Sequence, residues 1–173
     1  MLFRSSGATL TNVTITNTDF NNANLNNTNL TNAVITNANF TNADLSGATL
    51  TGATITGGTF ASVKLKNADL SGAVVTNTVF TGADLSGAIL TRIDASGASF
   101  ANATLSNVNL IGANITNTNF TNTKIKGANI TDVSFSDVQK LQLLKNADNR
   151  DISQIIVTQV PGSTVLAVVS RSE

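Results

Sequence analysis

Apolar residues recur along this chain with a period of five. Every fifth position from Leu10 to Phe135 is apolar, twenty-six in all: eleven Leu, six Ile, seven Phe, Val75 and Ala95. Two residues before each stands a small or apolar residue: fifteen Ala, five Thr, four Val, Gly58 and Ile93. Such a period fits neither a helix at 3.6 nor a flat strand at 2. It predicts a coil with four short sides of five residues, returning above itself after twenty. Phe20, Phe40, Phe60, Phe80, Phe100 and Phe120 then stack in one column. Three further columns start at Leu10, Ile15 and Leu25. A repeat this regular means a solenoid, each unit burying its apolar side only against its neighbours.

The positions two after each large residue, from Asn12 to Asp132, hold thirteen Asn and nine Gly in twenty-five. The exceptions are Ser62, Arg92 and Asp132. Asn and Gly tolerate the positive φ that a type II turn requires, so these positions read as corners. Each five is thus small-inside, outward, large-inside, then two corner residues. Ile93 and Ala95 exchange sizes, which conserves interior volume, the change packed cores tolerate best.

Ala43-Asp44-Leu45-Ser46-Gly47, Ala68-Asp69-Leu70-Ser71-Gly72 and Ala83-Asp84-Leu85-Ser86-Gly87 resemble the A(D/N)LXX unit of pentapeptide-repeat proteins. The resemblance implies an all-β solenoid, a right-handed quadrilateral β-helix; the handedness comes from the resemblance and not from the period. It implies little about activity, because the family's roles are varied. Some members are inferred to mimic DNA and bind gyrase, which needs a strongly acidic surface. Here six acidic and six basic residues fall in residues 1–135, so the rod is neutral and DNA mimicry is the weakest reading.

The expected organisation is an N-terminal cap at 1–7, the β-helix at 8–135, a short capping helix and linker at 136–149, and a β-rich docking tail at 150–173. At a strand spacing of about 4.8 Å, six coils make a rod roughly 30 Å long. Leu2 and Phe3 either fold over the first coil, or that end stacks on a partner or a second copy. After Phe135, Ser136 and Asp137 are capable of capping a helix that carries Val138, Leu141 and Leu144. Ile155-Ile156-Val157 and the run Val165-Leu166-Ala167-Val168-Val169 flank Pro161-Gly162 and predict a hairpin or two strands. These need a sheet edge to pair with, on their own rod, a second copy or a partner.

The rest of the composition removes function classes. Charged residues are 12% of the chain and the net charge is zero, against a nucleic-acid or anionic-membrane partner. No apolar run approaches a membrane span, and the start is too mixed for a signal peptide. The default location is the cytosol or a larger assembly. There is no His and no Cys, and the only Glu is Glu173, which removes the usual triads and zinc sites. Asp44, Asp69, Asp84 and Asp94 offer carboxylates, but on a closed rod without a cleft. No phosphate-binding or dinucleotide fingerprint occurs, and the Phe residues read as core. The expectation is a non-enzymatic protein without cofactor, metal or small-molecule substrate.

Function therefore falls to the outward positions. Lys64 and Lys66 recur as Lys124 and Lys126 on one face, and read as solubilising. Thr16, Thr36, Thr56, Thr76, Ser96, Thr116 and Ser136 form a ladder beside the Ile column, with Thr14, Val34, Thr54 and Val74 outward on the same face. β-propensity explains such a ladder without function; a partner-binding face is the second reading. The third is a surface resembling those of ice-binding solenoids. Val74, Val79 and Ile89 form an apolar belt in one coil, with Ile111 beyond it, and a belt of this kind marks an interface candidate. The reading that results is a structural, protein-interaction rod presenting flat faces and ends, as a component of an assembly such as a shell or virion.

Overall fold

In the computed structural model of the protein, residues 5–133 are described. The expected helix of 136–149 and the tail strands lie outside them. The described chain is a four-sided solenoid with twenty residues per coil. Three short strands, β1 (Thr14–Thr16), β2 (Val34–Thr36) and β3 (Thr54–Thr56), lie side by side as a parallel sheet in the order β1-β2-β3. Their register is a shift of one coil: Ile15 pairs Ile35, and Ile35 pairs Ile55. Elsewhere the coils join by single parallel bridges at the same shift, such as Asn29 to Thr49 and Ile89 to Asn109.

The period of five follows from where the backbone hydrogen bonds go. The large residue donates its N–H up to the next coil, as Phe80 does to Ser99 O at 2.7 Å. The corner residue does the same, as Asn12 to Thr31 O at 2.9 Å. The outward residue donates down, as Asn29 to Ala8 O at 2.8 Å. The small residue closes the turn to the large one before it, as Ala23 to Phe20 O at 2.9 Å. All twenty-five corners from Asn12 to Asp132 have φ between 50° and 71°, including Ser62, Arg92 and Asp132. The register also begins before the first full unit read from sequence. Ser5 N donates to Asn24 O at 3.0 Å, Gly7 N to Asn26 O at 2.9 Å, and Gly7 has φ 69°.

Inside, the columns stand as the sequence predicts. Phe40, Phe60 and Phe80 are fully buried, and consecutive Phe rings from Phe20 to Phe120 lie 4.6–5.7 Å apart between centroids. The rings are near parallel except Phe60 and Phe80, which tilt by 37°. Gly58 stands beside this column, where an alanine Cβ would sit 3.3 Å from Phe60 Cε2. Ile93 and Ala95 are both buried, so the size exchange is an interior one. Four inner threonines are buried without an unmet hydroxyl. Thr28, Thr78, Thr118 and Thr123 donate to backbone carbonyls of the coil below, at 2.8–3.2 Å, which removes the cost of burying a hydroxyl.

Candidate interaction faces

Four of the five N–H groups in a typical unit are satisfied by backbone. The fifth, on the residue after the large one, is where the outward side chain enters. An outward Asp or Asn accepts that N–H through Oδ1 two residues away: Asp44 from Ser46 at 3.0 Å, Asp69 from Ser71 at 2.9 Å, Asn109 from Ile111 at 3.1 Å. Every outward Asp or Asn among the described residues makes this bond, from Asp19 to Asn129. The Asp or Asn of the repeat unit is therefore a turn-former, in the manner of an Asx-turn. A following Ser or Thr often adds its hydroxyl to the same oxygen, as Ser71 to Asp69 at 2.6 Å and Thr121 to Asn119 at 2.7 Å. Asp44, Asp69, Asp84 and Asp94 are occupied in this way and do not converge on a cleft. No three acidic, His or Cys groups cluster among the described residues.

The four lysines among the described residues share one face. Its outward column runs Asn24, Asp44, Lys64, Asp84, Thr104, Lys124. Lys66 Nζ lies 3.2 Å from Asp84 Oδ2. Partial burial pushes the Asp84 carboxyl up, but the Ser86 hydroxyl and N–H with the Lys66 ammonium outweigh it and hold the carboxyl below its ordinary range. Asp44 is lowered likewise: partial burial opposes, while bonds from Ser46 and the charge of Lys64 prevail.

The Ile-column face differs from the others at its N-terminal end. Its outward residues Thr14, Val34, Thr54 and Val74 are β-branched and form no Asx-turn; the first three lie in β1, β2 and β3, and Val74 makes single bridges to Thr54 and Asp94. The hydroxyls of Thr16, Thr36, Thr56 and Thr76 take no hydrogen bond within the described residues. From Asp94 onward this changes: Ser96 donates to Asp94 at 2.7 Å and Thr116 to Asn114 at 2.8 Å. The ladder is thus one column in register but two surfaces in chemistry. A second column, Thr11, Thr31, Thr51, Ser71, Thr91, Ile111 and Thr131, runs beside Leu10 at the same spacing. Sequence reading did not single it out, although the signal was equally present.

The apolar belt is dispersed. Val74 bridges Thr54, Val79 bridges Thr59, and Ile89 bridges Asp69, which places them in three separate columns on three faces. Val79 and Ile89 are exposed at 39% and 41%, whereas Val74 and Ile111 are half-buried. Val34, at 44%, is the most exposed large apolar side chain described, and it lies between Thr14 and Thr54. Ile155, Ile156, Val157, Val165, Leu166 and Val168 lie outside the described residues. No helix among the described residues is long and apolar enough to cross a membrane.

Comparison with solved structures returns several proteins. HetL of the cyanobacterium Nostoc sp. strain PCC 7120, a pentapeptide repeat protein involved in heterocyst differentiation regulation, is 21% identical over 76% of this chain, with TM-score 0.38. This chain spans 63% of HetL's length. A pentapeptide repeat protein of the Arabidopsis thaliana thylakoid lumen is 35% identical over 64% of this chain and 77% of that one, with TM-score 0.42. A trypsin-treated form of QnrB1, a plasmid-mediated fluoroquinolone resistance protein, is 18% identical over 84% of this chain and 96% of that one, with TM-score 0.34. No curated protein matches. The family described as Pentapeptide repeats matches in eight copies, at 5–27, 15–52, 59–97 and 98–137. Proteins of that family form right-handed quadrilateral β-helices and are generally structural or interaction proteins. With the matched segments covering most of the chain and the corners in register throughout, this protein belongs to the pentapeptide repeat family.

Proposed function

We infer that this protein is a non-enzymatic rod that presents flat faces and ends to a protein partner, as a component of a larger assembly such as a shell or virion. The observation that carries this reading is the disposal of the polar groups. The interior is filled by stacked columns, and the outward carboxylates and amides are spent on forming turns. What remains for recognition is outer surface of fixed shape and low charge. The face that fits a partner best carries Thr16, Thr36, Thr56 and Thr76 beside Val34 and Val74. It bears no charge, its hydroxyls are unspent, and its strands hold it flat. Val79 and Ile89 mark secondary contacts on other faces. The tail of 150–173, with Ile155-Ile156-Val157 and Val165, Leu166 and Val168, is assigned a docking role.

The test is affinity capture from native lysate with three baits: the full chain, Thr36→Lys/Thr56→Lys, and a chain lacking 150–173. A partner held by the full chain and lost from either altered bait supports the reading. Equal recovery by all three assigns the contact elsewhere. A second reading, an ice-binding type of surface, rests on the same unspent hydroxyls. Thermal hysteresis of the purified protein, abolished by Thr56→Lys, would establish it in place of the first.

A further inference from the structure

We draw no further inference here: the strongest candidate, the uncharged outer face of the Ile column where Val34 lies between Thr14 and Thr54, belongs to the surface already described, and nothing in the structure shows what covers it.

Discussion

At the scale of the residue, the corner decides most. Six corners stack Asn beneath Gly, with the Asn Oδ1 lying where a glycine Cβ would be: Asn27 under Gly47, Asn32 under Gly52, Asn37 under Gly57, Asn67 under Gly87, Asn77 under Gly97 and Asn107 under Gly127. Arg92 interrupts this pattern beneath Gly112, holding φ 56° with a side chain that gains nothing from it. Asn tolerates the left-handed region where most residues pay about 1–2 kcal/mol. Arg92→Asn should therefore raise stability by up to about 1 kcal/mol, read as an upward shift of the denaturation midpoint. No gain would mean that the Arg92 stem packs usefully on Gly112. The carboxylates give a second expectation at this scale. Asp44 and Asp84 have lowered folded pKa values. Their contribution is present above the unfolded value of about 3.9 and is lost as pH falls through the lower folded values. Stability should decline on acidification below about pH 4, and Asp84→Ala should flatten that decline while lowering stability at neutral pH. The corners were legible in the sequence because positive φ selects Asn and Gly. The turn-forming role of the outward Asp and Asn was not, because composition alone makes an exposed carboxylate look like charge.

At the scale of the element, each column is a stack whose members depend on the coils above and below. Phe80 is fully buried between Phe60 and Phe100, with centroids 5.2 Å and 4.9 Å away. Backbone bonds fix the spacing of the coils, so they cannot close on a gap. Phe80→Ala should cost about 3–5 kcal/mol, measurable by chemical denaturation. A cost below about 1 kcal/mol would mean that the coils relax around the gap. The columns were legible because one spacing recurs without a miss. The strands were less so. β1, β2 and β3 form where Thr14, Val34 and Thr54 stand outward, whereas Val74 on the same face, also without an Asx-turn, makes only single bridges. The identity of the outward residue therefore does not by itself decide where a strand forms. The belt of Val74, Val79 and Ile89 runs around the coil and not along one side, because positions five apart turn a corner, and the period of five already carries that information.

At the scale of the whole molecule, the rod is a one-dimensional stack whose stability sums over coils and their junctions. Each coil repeats the same four interior columns, so the chain should accept changes of length that keep the columns intact. Deleting residues 61–80 removes one full coil and sets Phe100 directly above Phe60. The shortened protein should fold, with a smaller denaturant dependence in keeping with its smaller buried surface. Deleting residues 61–65 alone keeps the period of five but rotates everything beyond by one side. Phe80 then sits over Ile55, Leu85 over Phe60 and Val75 over Leu50. The mismatch falls on a single junction, where misfitted core shapes cost about 1–3 kcal/mol. The five-residue deletion should therefore be less stable than the twenty-residue deletion, although it removes a quarter as many residues. Denaturation of the two side by side decides the matter. The opposite order would mean that the columns are interchangeable, and that the twenty-residue pattern in the sequence records something other than packing.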